Sequence, residues 1–168
     1  MDFINNLYLQ IIRVFSDGVF GISLGDLIII FISIIISLLV RSFVARVLVN
    51  KVKKIVSKTG NKIDDKLFEA LVPPFRLLPV VIVFLAITLY FDIESTLGVY
   101  FQKINNTLST IFVFWLIHQA LIPFSDLFNK LENILSKGLV LWIVKSLKYL
   151  IIFLGIVAVL EVWGIKIG

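Results

Sequence analysis

Few residues in this chain could do chemistry, and they are widely spaced. His118 is its only histidine and stands beside Gln119 inside an otherwise apolar stretch, Leu108 to Phe128. An ionisable group in such a stretch is costly to place in hydrocarbon, which makes it a functional candidate. Glu161 lies in a second apolar stretch, so the two could relay a proton if they met at one depth. Counting along each stretch puts His118 near the middle and Glu161 near one end, so direct contact is not expected. The spacing fits a neutral His118 that, with Gln119, makes polar contacts between helices. Glu161 then meets an interface or Lys166.

A second cluster is the polar run Lys58-Thr59-Gly60-Asn61-Lys62-Ile63-Asp64-Asp65-Lys66-Leu67. Paired carboxylates could hold a divalent cation or work as acid and base. Asp is also favoured at a helix start, where its oxygens face unpaired amide groups and the positive end of the helix dipole. Gly60-Asn61 is a turn signal. The expected element is therefore a short helix capped by Asp64, with Leu67, Phe68 and Leu71 on its apolar side. Only Glu69 adds a further carboxylate nearby, so the helix start is favoured over a metal site. There is no cysteine, no glycine loop for phosphate and no nucleophile elbow. No enzymatic function and no cofactor is expected.

The elements that carry these residues follow from composition. Hydrophobic residues make up 60% of the 168 and charged residues only 16%, against about a quarter charged in soluble domains. The bilayer is the natural solvent for such a chain. A hydrocarbon core of about 30 Å needs roughly 20 apolar helical residues. Four segments approach that: 27–49, with Asp26 as its N-cap; 74–91, where Pro79 predicts a kink; 108–128, interrupted by Pro123 and Asp126; and 139–163. Before them, Phe3, Leu7, Ile11 and Val14 recur at helical spacing on one face, with Asn6, Gln10, Arg13 and Asp17 on a separate polar stripe. Residues 1–20 are therefore expected to form an amphipathic helix, lying in the membrane interface or packed on the other helices. No cleavable signal peptide is expected at the N-terminus. The expected fold is all-α, a single polytopic membrane region with about four transmembrane helices plus this short helix.

Basic residues set the orientation. Thirteen of the sixteen flank or fill the connections after the first and third spans; only Arg13, Lys103 and Lys166 fall on the other side. Both termini are thus expected outside and the lysine-rich connections in the cytoplasm. Arg41, Arg46, Lys51, Lys53, Lys54 and Lys58 are the candidate lipid-headgroup contacts, with anionic lipid rather than nucleic acid as the partner, each charge contributing about 1 kcal/mol near a charged surface. Tyr90, Tyr100 and Trp163 are placed near the outer boundary, Trp142 and Tyr149 near the inner one, and Trp115 inside the bundle. Gly21-x-x-x-Gly25 has the spacing of a helix-packing motif but sits at the start of a span. Asn105-Asn106-Thr107 is formally a glycosylation sequon. The isoleucine- and lysine-rich composition points to an AT-rich bacterial genome, where it would carry no meaning.

Two stretches resemble the bacterial small-conductance mechanosensitive (MscS-like) channel family, in its versions with extra N-terminal spans. One is the connection Lys58 to Leu67 followed by a proline-containing span. The other runs from Trp142-Ile143-Val144-Lys145-Ser146-Leu147-Lys148-Tyr149 to Ala158-Val159-Leu160-Glu161-Val162-Trp163-Gly164-Ile165-Lys166-Ile167-Gly168, and looks like the span before the family's pore helix. The resemblance covers a minor part of the chain. It implies a homo-oligomer, typically a heptamer, in the bacterial inner membrane, whose pore helix and cytoplasmic β-rich domain would follow the point where this sequence stops. The function it implies is the tension-sensing and scaffold part of an ion channel. Two other readings stand beside it: a small transporter subunit with His118, Gln119 and Glu161 along a polar path, and a structural membrane protein.

Overall fold

The computed structural model describes residues 2–17, 22–56, 62–90, 96–128 and 136–167. They form six helices and no strand: α1 (Asp2–Asp17), α2 (Leu24–Val56), α3 (Lys62–Phe75), α4 (Leu78–Tyr90), α5 (Thr96–Phe128) and α6 (Lys137–Val162). Among the described residues, three stretches are long and apolar enough to cross a membrane: Leu24–Lys54, Leu67–Tyr90 and Gly138–Val162. The part of α5 whose side chains are described is not among them.

Runs rich in Ile and Val are only moderate helix formers in water. In hydrocarbon the backbone has no other donor or acceptor, so the helix, which pairs every amide internally, becomes obligatory. The few hydroxyls obey the same demand. Ser37 donates to the Ile34 carbonyl at 2.7 Å and Thr88 to the Phe84 carbonyl at 2.8 Å, and both side chains are buried.

The start of α2 differs from expectation. Asp26 is not its N-cap; Ser23 is. The Ser23 hydroxyl accepts from the Asp26 amide at 3.1 Å and donates to the Asp26 carboxylate at 2.7 Å, while the Leu27 amide donates to the Ser23 carbonyl at 3.1 Å. This is a serine N-cap on the N3 amide, its hydroxyl held in turn by the N3 carboxylate, and it begins the helix three residues earlier than the apolar run.

The expected kink is present as a break at Arg76–Leu77, between α3 and α4. Pro73, Pro74 and Pro79 remove three donors within seven residues, and each proline ring crowds the carbonyl four residues before it. The chain tightens there: the Leu77 amide donates to the Pro74 carbonyl at 2.9 Å, and the Val80 amide to the Leu77 carbonyl at 3.0 Å. The apolar stretch also starts at Leu67, earlier than the expected 74, because α3 continues into α4 through this turn. α3 itself begins at Lys62, so Asp64 lies within its first turn rather than before it. Gly60, Asn61 and Phe91 lie outside the described residues.

The helices pack as a single layer. α2 packs on α3 and α4, these pack on α5, and α5 packs on α6; any other pair meets marginally at most, except α1, which rests on α2 over a short stretch. Among the described residues the core is correspondingly thin: Ile22, Ala45, Val49, Phe68, Val80, Ile87, Val140 and Val144, with Pro74 and Pro79. Most large apolar side chains are exposed, Leu39 by 75% and Phe43 by 72% among them. α1 likewise leaves Phe3, Ile4, Leu7, Tyr8 and Ile12 uncovered.

Replacing Ser23 by Ala should destabilise the first turn of α2 by about 1 kcal/mol. Amide hydrogen exchange at Asp26 and Leu27 should then quicken roughly fivefold; unchanged rates there would show that the cap does not hold the turn.

Candidate functional site

Three junctions fix the register of the layer. At one end of α2, the Tyr90 hydroxyl donates to the Asp26 carboxylate at 3.0 Å, tying the start of α2 to the end of α4. The Ser23 cap fixes Asp26 for this contact, since its second oxygen is already held by the Ser23 hydroxyl. In the middle, Phe75 and Phe112 meet edge to face, with ring centroids 6.0 Å apart, a favourable aromatic geometry. At the end of α6, the Trp163 indole N–H donates to the Thr107 hydroxyl at 3.1 Å, and Lys103 lies 5.7 Å from its ring centroid, within cation–π range.

The Trp163 junction is held by the way α6 stops. Gly164 has φ +86°, a conformation that costs a residue with a Cβ. The Ile165 amide then donates to the Leu160 carbonyl at 3.0 Å and the Gly164 amide to the Glu161 carbonyl at 2.9 Å. This is a Schellman end. It turns the chain sharply just where Trp163 reaches α5.

The junctions also show a stagger. Trp163 meets α5 at Thr107, eleven residues after α5 begins at Thr96, or about 16 Å along the helix. Phe112, sixteen residues after Thr96, meets Phe75, fifteen residues before Tyr90, so α5 begins near the level of Tyr90. The apolar run of α6 (Tyr149 to Val162) is therefore displaced along the layer by about 15 Å from that of α2 (Leu27 to Val40). Each run has fourteen residues, about 21 Å.

The candidate headgroup residues bound one end of these runs. Arg41, Arg46, Lys51 and Lys54 are exposed and Lys53 is half-buried, all on α2, whereas Lys58 lies outside the described residues. Arg46 stands twenty residues from Asp26, about 30 Å along the helix and so one hydrocarbon thickness away. Arg41 falls short of that and can reach the headgroups only by extending along the helix. Tyr90 and Trp163, expected at one outer boundary, are both exposed, but the stagger sets them at different levels.

Between α5 and α6 runs an open groove of about 540 Å³. Phe114, Trp115 and His118 line it from α5; Ile152, Gly155 and Val159 are among its α6 residues. Trp115, expected inside the bundle, is 37% exposed and forms part of this wall. Gly155 matters because a Cβ there would come within 3.1 Å of the Phe114 side chain. The missing side chain lets the helices approach closely. His118 is half-buried at the end of the groove nearest Ile151 and Ile152, with the half-buried Lys148 within electrostatic reach of its ring. Glu161 is exposed beyond the other end, nine residues from Ile152, or about 14 Å along the helix. The structure does not bring His118 and Glu161 together.

Other polar residues fall differently. The Gln119 Oε1 and Asn105 Oδ1 atoms are buried without a hydrogen-bond partner, so Gln119 does not make its expected polar contact through that oxygen. Asn105, the acceptor of the sequon, is only 6% exposed inside a helix, where no glycosylating enzyme could reach it. Gly25 is exposed and a Cβ there would meet only Ser23, while Gly21 lies outside the described residues. Of the described glycines Gly25 and Gly155, Gly155 makes a close helix contact and Gly25 does not. Among the described residues, no group of three or more His, Asp or Glu could share a metal ion. The chain matches no family model, no curated protein and no solved structure.

Gly155→Ala should gain up to about 1 kcal/mol of helix propensity and lose roughly 1–3 kcal/mol to overpacking against Phe114. It should therefore be neutral to destabilising in the parent, yet stabilising in a Phe114→Leu background. A thermal-unfolding cycle in detergent reads this change of sign, and simple additivity would show that the contact carries no weight.

Proposed function

We propose that the chain is the membrane-embedded tension-sensing and scaffold part of an MscS-like mechanosensitive channel, acting in a homo-oligomer in a bacterial inner membrane. In this reading it has four spans, with α5 over 108–128 as the fourth, both termini outside and α1 lying in the interface. The observation that supports it best is the single staggered layer. In the crossing stretches of α2 and α6 only 6% of the most apolar window is buried by protein, so lipid or neighbouring copies must cover the rest.

Such a layer is mechanically coupled to bilayer thickness. Three helix-to-helix steps of 8–10 Å separate α2 from α6, so a displacement of about 15 Å is levelled by a tilt of roughly 30°, within the range seen for membrane helices. Thinning the bilayer favours greater tilt. If two states of the assembly differ in tilt and in-plane area, tension shifts their populations by its differential work on them. Arg41, Arg46 and the following lysines grip the headgroups that transmit the pull. A transporter's polar path has less support, since the walls of the α5–α6 groove are apolar save for His118.

Replacing Lys51, Lys53 and Lys54 together by Gln, in a complete channel containing this segment, should change the tension needed for opening in patch recordings. An unchanged threshold would sink the headgroup-coupling reading. Single-cysteine accessibility, undisturbed by native cysteines, should label position 3 from outside and position 51 from the cytoplasm; the reverse would overturn the orientation.

A further inference from the structure

The groove between α5 and α6 has a cation, Lys148, aligned with its His118 end, and we infer that it is a binding site for a single anionic phospholipid, its acyl tail in the groove and its phosphate at Lys148 and His118. The inference rests on the membrane placement of the chain and not on the channel reading, so it can fail or stand without any gating measurement.

Three observations carry it. The groove walls are apolar along their length, with His118 the single polar lining residue, at one end. Lys148 precedes Ile152, Gly155 and Val159 at spacings of four, three and four residues, so all four share one face of α6. The cation therefore stands one turn beyond the groove floor, aligned with it. Finally, the distance from Lys148 to Leu160 is twelve residues, about 18 Å, close to the roughly 15 Å of one leaflet's hydrocarbon. An acyl chain whose phosphate sits at Lys148 would run the length of the groove. Gly155 keeps the passage open, because any larger side chain there would project towards Phe114 or into the groove. Lys145, one turn further out on the same face and exposed, adds a second charge for the headgroup.

Trp115 on the groove wall supplies the probe. In a Trp142→Phe/Trp163→Phe background it is the sole tryptophan, and lipids with brominated acyl chains quench it on contact. In vesicles containing brominated phosphatidylglycerol or brominated phosphatidylcholine at equal mole fraction, the anionic lipid should occupy the site with roughly fivefold preference. Lys148→Gln should remove the preference while leaving quenching by both lipids. A Trp115→Phe/Trp142→Phe protein, which reports from Trp163 at the other end of α6, should show none. Equal quenching of Trp115 by the two lipids would overturn the proposal, as would a preference that survives Lys148→Gln. If Lys148→Gln does not fold, the Trp163 reporter decides: an equal preference at both tryptophans means general enrichment of anionic lipid and no site. Inorganic phosphate should not abolish the preference; if it does, the site takes free phosphate and the lipid assignment falls.

Discussion

Water is the wrong solvent for most of this surface, and that constraint shapes every level of the structure. A backbone in hydrocarbon must satisfy its own hydrogen bonds, which makes helices of sequences rich in Ile and Val. The side chains have no such obligation to one another, because lipid tails solvate Leu or Phe as well as a neighbouring helix does. The helices can therefore stand in one layer and leave residues such as Leu39, Phe43 and Leu89 uncovered. A soluble protein built this way would aggregate. In a bilayer the same exposure is the contact surface.

With little hydrophobic drive between helices, register has to come from specific contacts, and these are found at ends and breaks. Tyr90 meets Asp26, Trp163 meets Thr107, and the rings of Phe75 and Phe112 meet beside the proline-induced break. Each depends on local backbone chemistry: the Ser23 cap positions Asp26, the Gly164 turn ends α6 at Trp163, and Pro79 with Pro73 and Pro74 opens the turn beside Phe75. Close approach occurs where a side chain is missing, at Gly155. Together these contacts set the stagger between the two ends of the layer, and hence the tilt that a flat bilayer would impose on it.

The lysine-rich ends of the spans, the apolar runs, the amphipathic pattern of α1 and the proline kink were legible from residue type and spacing, because each is local to one helix. The cap is Ser23 rather than Asp26 because the helix starts before the apolar run does, and residue type alone favours both Ser and Asp at that position. His118 could be singled out by chemistry and its separation from Glu161 by counting. The groove beside it could not, because its two walls come from residues some forty apart in the chain, and Trp115 reads as a core residue until α6 is seen to leave one side of it open.

By itself, then, the sequence determined that this is a helical membrane protein, where its most apolar runs lie and which ends carry the positive charge. Those properties follow from the transfer of individual side chains and backbone units between water and hydrocarbon, and they add up along the chain. Only the tertiary structure decided that the helices form one layer, that the layer is staggered, and that a groove opens between α5 and α6 towards Lys148. Those depend on which helix faces meet, and an apolar face in lipid has many nearly equivalent partners. The few polar contacts and one glycine that choose among them become visible only once the helices are in place.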